Sequence, residues 1–253
     1  MKFFIPKTRE ATRVRPFKRD NMKVKILSLR PTQFAVGMLE VDEKIKEISS
    51  LSKKEIKRYI KDNIVPVVKG LDEEYYVVDK HHFLSVCYQL GINKVKIDVI
   101  KDFSDQPDLT YEEFWEWMFS SRNCYPYCQF GQGPREPLYL PHDVRGLADD
   151  PYRSIAWFVR KAGAFENSEK NFSEFQWANF FRSKGLLKKH GRKGLPEALV
   201  EAVKLSQTEE ARKLPGYDLL NKAEQKEAQL RVKTKGNQVL SKQIDKDIPE
   251  QIQ

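Results

Sequence analysis

Two adjacent histidines in the stretch "YYVVDKHHFLSVCYQLG", His81 and His82, are the first residues that could do chemistry in this sequence, which has four histidines among 253 residues. They fall where an apolar run gives way to a helical pattern. A helix start leaves backbone N–H groups unpaired and carries a partial positive charge, so it is a natural anion site. Asp79 is placed to cap that start, Lys80 adds a cation, and the two rings can donate hydrogen bonds or pass protons near neutral pH. Together they suit a phosphate group. The same residues also fit a structural turn in which Asp79 caps, one histidine packs and the other is solvated, and local sequence leaves both readings open.

Two further pairs could face the same ligand. Thr32 and Gln33 follow Pro31, which fixes a turn ahead of a helix, and Gly37 would let a backbone approach closely. Thr32 serves equally well as a simple helix cap. Arg153 and Ser154 fall in the first turn of a helix that opens at Pro151. An arginine there can make forked contacts to phosphate or carboxylate, although an ion pair with Asp149 or Asp150 is the favoured reading. Cys124 and Cys128 with His142 lack a fourth ligand at zinc spacing, so no structural metal is expected. No Walker loop, Ser-His-Asp order or nucleophile elbow occurs.

The net charge of +9 invites a nucleic-acid reading, so its distribution matters. Residues 1–22 carry seven basic and two acidic side chains, and residues 183–253 carry fifteen and ten, each a net +5. The middle, 23–182, has 23 basic and 24 acidic residues and is neutral by count. Nucleic acid is therefore expected at the basic arm and tail rather than at the core. The three cysteines are an odd number at irregular spacing, which fits a reducing, cytoplasmic setting. No run approaches the ~20 apolar residues of a membrane helix, and charge interrupts "MKFFIPKTREATRVRPFKRD" before a signal segment develops, so no membrane partner is expected.

The elements that must position these residues follow from periodicity. "KVKILSL" reads as one strand, and Leu39, Val41, Ile45 and Ile48 mark one face of a helix. Ser52 with Glu55 opens a second helix as a capping box. "IVPVVKG" and "EYYVVD" form a hairpin-like pair, the histidine helix closes at Gly91, and "KVKIDVI" is one more strand. Aromatic helices follow: one opened by Thr110 and Glu113, one capped by Asp150 and closed at Gly163, and one over "FSEFQWANFFR". Phe114, Trp115, Trp157, Phe175, Trp177 and Phe180 recur at helical spacing and read as core. Beyond an amphipathic patch at 195–205 the chain has few large apolar residues after Leu220, so its last thirty or so are expected to be mobile.

Taken together, "PTQFAVG" with Glu40 and Lys44, "VVDKHHFL", "FWEWM", "DDPYRSIAWFVRKAG" and "FSEFQWANFFR" resemble the ParB-like nucleases, a group within the ParB and sulfiredoxin superfamily, over about residues 24–185. The resemblance implies an α+β fold: a small mixed sheet with packed helices, holding a nucleotide or phosphate beside the helix that begins at the acidic-histidine turn. The expected organisation is a basic arm (1–22), this core (23–102), a family-specific aromatic helical region (103–185) and a charged, partly disordered tail (186–253).

Relatives differ in chemistry. ParB proteins bind and hydrolyse CTP, sulfiredoxins use ATP to repair an oxidised cysteine, and the free serine kinases transfer phosphate to serine. In those kinases a glutamate of the early helical segment is the base, and Glu40 lies in the comparable "VGMLEV". The chain departs from the pattern at Phe83, where several relatives carry arginine, and its turn has no cysteine, which argues against the sulfiredoxin reaction. The expected function is phosphoryl transfer or hydrolysis on a nucleotide or phosphorylated small molecule. Glu40, His81 and His82 would be catalytic, with Thr32, Gln33, Asp79, Lys80, Arg153 and Ser154 at the phosphate and Mg2+ bound through the nucleotide's phosphates and Glu40. The rival readings are a nuclease cleaving DNA or RNA and a non-catalytic DNA- or partner-binding module.

Overall fold

Hydrophobic alternation builds the sheet, and one departure from alternation decides its shape. The structure, a computed structural model, describes residues 22–168, 171–187 and 194–247. The expected arm, apart from Met22, and the last six residues of the expected tail lie outside the described residues, as does His190. Strands β1 (Met22–Lys25) and β2 (Leu29–Pro31) come from the "KVKILSL" stretch expected as one strand. Ile26–Ser28 instead tightens into a 3-10 turn. Its cause is the spacing: Ile26 and Leu29 are both buried while Leu27 is exposed, a period of three rather than two. The turn sends β1 and β2 to opposite edges of one sheet.

That sheet has the order β1-β6-β4-β5-β2, completed by β4 (Val65–Lys69), β5 (Tyr75–Val77) and β6 (Lys94–Asp102). The β4–β5 hairpin is antiparallel as expected, β6 runs parallel to β4 and antiparallel to β1, and β2 is parallel to β5. The sheet is therefore mixed, and the fold is α+β. Helices α1 (Met38–Ser49), α2 (Lys53–Asp62) and α3 (His81–Gln89) supply Val41, Ile48, Tyr59, Phe83 and Leu84 to a core with Val65, Val67, Val77 and Ile97. Helix α4 (Tyr111–Ser120) brings Phe114, Trp115 and Met118 to a separate cluster with Val68, Val78 and Phe103.

The remaining helices form a third core around Trp157, Trp177, Phe181 and Leu199. They are α5 (Pro151–Lys161), α6 (Ser173–Ser183), α7 (Leu195–Leu205) and α8 (Lys222–Asp247). Helix α8 occupies most of the segment expected to be mobile. Its inner stripe is Ala228, Val232, Gly236 and Val239, small residues at helical spacing that a search for large apolar side chains passes over. Gly236 lets it cross α7 so closely that a Cβ there would stand 2.7 Å from Pro196 Cα. Among the described residues no helix is long and apolar enough to cross a membrane.

Candidate functional site

The site begins where two helix starts are clamped together. Short strands β3 (Ala35–Val36) and β7 (Ala148–Asp149) pair in parallel, immediately before α1 and α5. Asp149 accepts the Met38 N–H at 2.9 Å, and Asp150 caps α5 by accepting from Tyr152 and Arg153 N–H. Behind them Gly37 backs onto Ser154. This clamp brings Glu40 and Arg153 together: Arg153 Nη1 donates to Glu40 Oε2 at 3.0 Å, with the two residues 6% and 2% exposed. The favoured expectation that Arg153 pairs with Asp149 or Asp150 is thus corrected. Those carboxylates are occupied by backbone N–H groups and, for Asp150, by Arg182 as well.

The pair is part of a longer line of alternating charge. Lys44 Nζ donates to Glu40 Oε1, the other end of the Arg153 guanidinium meets Glu174, and Arg160 Nε donates to Glu174 Oε1 at 2.6 Å. Arg153 also lies against the Phe175 ring, and its buried Nε has no hydrogen-bond partner among the described residues.

The histidine turn is built differently from its expected form. Asp79 does not cap α3; its carboxylate accepts the Lys80 N–H at 2.6 Å. Lys80 precedes the helix in the left-handed region, φ +70°, and its ammonium donates to Asn63 Oδ1 at 2.9 Å. His81 is engaged within the fold, its Nε2 accepting the Thr32 N–H at 3.1 Å, and burial takes its ring down to about 3. His82 Nε2 accepts the Gly37 N–H at 2.9 Å and lies 3.3 Å from Glu40 Oε2. A nitrogen accepting from Gly37 cannot donate to the carboxylate at the same time, so the hydrogen bond assigns the proton to Nδ1. Burial, reinforced by the charges of Arg153 and Lys44, holds His82 well below its ordinary pKa against the opposing pull of Glu174.

These groups line a cavity of about 440 Å³. Of the residues singled out in the sequence, Gln33, Glu40, Asp79, Lys80, His81, His82 and Arg153 reach it. Thr32 and Ser154 do not. Thr32 gives its N–H to His81 and its hydroxyl to the Val77 carbonyl, and Ser154 is fully buried behind Gly37, its hydroxyl without a partner among the described residues. Gly37 accordingly serves the approach of two protein backbones. Sequence reasoning gave no site role to Lys44, Asn63, Arg160, Asn171, Phe172 or Glu174, which also line the cavity. Lys44 and Arg160 left a signal, one turn after Glu40 and two turns after Arg153 on the same helix faces. Glu174 and Asn171 lie at the start of α6, so two helix N-termini, those of α3 and α6, open on one cavity. Both oxygens of Glu40 and of Glu174 are engaged by cationic side chains, a poor donor set for a Mg2+ ion held by the protein.

Comparison with known proteins agrees with this architecture. The crystal structure of protein Atu1540 from Agrobacterium tumefaciens is similar at a TM-score of 0.71 and 34% identity, covering 81% of this chain and 100% of that one. No curated protein matches this chain. The family model described as "Putative ParB-like nuclease" matches residues 22–183, which contain every strand of the sheet and every residue of the cavity. The chain belongs to this ParB-like family.

Proposed function

We propose that the cavity binds a phosphorylated small molecule, a nucleotide foremost, and transfers or hydrolyses its phosphoryl group. The observation that carries this reading is a buried carboxylate, Glu40, in a cavity lined by Lys44, Lys80, Arg153 and Arg160 and faced by two helix N-termini. An incoming phosphate meets Lys80, Arg160 and the N–H groups at the helix starts. Lys44, with 30% of its side chain exposed, swings from Glu40 to the phosphate. That releases Oε1 to take the proton of the attacking hydroxyl or water, while Arg153 keeps Oε2 in place. The new O–P bond forms as the leaving-group O–P bond breaks, its electron pair departing with the leaving oxygen. Neutral His82 offers Nδ1–H as a donor, and His81 with Thr32 fixes the turn. Mg2+ would enter on the substrate's phosphates, where it would neutralise part of their charge.

The test is calorimetry and turnover with ATP, ADP, CTP and GTP. Glu40→Gln should retain binding and lose turnover; absence of binding by all four, or unaltered turnover in Glu40→Gln, refutes the reading. The family's description favours a nuclease as the second reading, with Glu40 and His82 acting on a phosphodiester. Cleavage of labelled DNA or RNA that disappears in Glu40→Gln would select it.

A further inference from the structure

The core is neutral by count, yet the structure concentrates positive charge on one small area of it. In the antiparallel β1–β6 ribbon Lys23 stands directly opposite Lys96, and Lys25 directly opposite Lys94. The intervening Val24 and Val95 face the hydrophobic core, so all four lysines point the other way, outward. They form two rows about 5 Å apart with about 7 Å between successive members of a row. None makes an ion pair with another described residue. The nearest acid along the strand is Asp98, two residues beyond Lys96 and opposite Pro66. Like charges directly across a ribbon destabilise it. Guarding a sheet edge explains lysines on β1, which is an edge strand, but not on β6, which is paired on both sides.

We propose that this face of the ribbon is a contact surface for a nucleic-acid backbone. A row of phosphates relieves the repulsion that the lysines impose on one another, and a twisted two-row stripe can follow a backbone. A bilayer surface is the poorer match, since "MKVK" and "KVKID" contain no aromatic anchor.

The experiment measures binding of the full chain to a labelled duplex of about 20 base pairs, and to one of its strands, as salt rises from about 50 to 200 mM. The charge-reversal pair Lys23→Glu and Lys25→Glu places opposite charges across the ribbon. It should raise the thermal midpoint while weakening duplex binding at least tenfold, with the salt slope falling by about two or more. Lys94→Gln with Lys96→Gln should reduce the slope by about two without depending on new ion pairs. The duplex and single-strand arms separate the two forms of the same phosphodiester ligand. Failure of the wild-type chain to bind either, an unchanged slope in both variants, or tighter binding to anionic phosphatidylserine vesicles than to either nucleic acid overturns the proposal.

Discussion

Replacing Gly37 by alanine should dismantle the site from behind, without touching a charged group. The glycine has φ −79°, a conformation any residue adopts, so the substitution carries no backbone strain. The whole cost is steric. An added Cβ would lie 2.6 Å from Ser154 Oγ, 2.8 Å from its N and 3.0 Å from its Cα. The hydroxyl can rotate away; the backbone atoms belong to the first turn of α5 and can retreat only with the helix. Bringing the 2.8 Å contact to 3.4 Å needs a shift of about 0.6 Å. Arg153 is the neighbouring residue, so the same shift would stretch its 3.0 Å bond to Glu40 toward 3.6 Å, past useful hydrogen-bonding distance. Overpacking of this kind costs about 1–3 kcal/mol, and alanine returns about 0.5 kcal/mol by restricting the unfolded chain. The expected net loss is about 1.5 kcal/mol in urea unfolding, with an unchanged m-value and weaker binding of phosphorylated ligands. Adding Ser154→Gly should restore only part of it, because the backbone contacts persist. A Gly37→Ala protein within about 0.5 kcal/mol of wild type would refute the close approach of α1 and α5.

Four other outcomes follow from named contacts. Ser154→Ala removes a buried hydroxyl without a partner and should leave stability unchanged or raise it by up to about 1 kcal/mol; a loss above that in thermal unfolding would reveal a bonded hydroxyl. Arg153→Met strips one cation from both Glu40 and Glu174 and should cost about 3 kcal/mol, with Lys44 and Arg160 limiting the damage; a neutral result by urea titration would contradict the buried charge line. His81 is held neutral, its pKa taken from 6.5 down to about 3, so the unfolded chain binds a proton that the folded chain refuses between those values. Its stabilising contribution is complete above about pH 6.5 and is lost as pH falls, at about 1.4 kcal/mol per unit; His81→Gln should flatten unfolding free energy against pH by about that slope, and an identical slope would sink the assignment. Gly236→Leu should lift α8 from α7 at a cost of about 1–3 kcal/mol and speed its release in limited proteolysis, whereas wild-type cleavage rates would argue against the close crossing.

What was legible in the sequence was local. Asp150, Pro151 and Gly163 bound α5 because capping, the first-turn proline and the left-handed terminator each act within a few residues. The boxes Ser52/Glu55 and Thr110/Glu113 formed for the same reason. Strands β4, β5 and β6 showed in their β-rich runs. The split at Ile26–Ser28 did not, because over so few residues a spacing of three is easily taken for alternation. Helix α8 was hidden by a stripe of small side chains rather than large ones. At the site, residue types and approximate location were legible in the histidine turn, but the partners were not. Which carboxylate reaches Arg153 depends on β3 pairing with β7, residues more than one hundred positions apart, and no local pattern encodes that.

The geometry also explains why Glu40 can remain buried as a rigid group, and the explanation extends past the segment matched by the family. Helix α1 carries a second buried carboxylate one turn on, Glu43, 4% exposed. Burial opposes its charge, but hydrogen bonds from Lys235 and Lys46 outweigh the penalty and hold its pKa below the usual carboxylate range. Lys235 belongs to α8, so the C-terminal helix grips α1 at Glu43 while α5 grips it at Glu40. Because residues three apart lie on neighbouring parts of one helix surface, the two clamps fix the rotation of α1 about its axis. That rotation sets where Glu40 points. A loosened α8 would therefore be felt at Glu40 through α1, although none of the described residues lining the main cavity comes from α8.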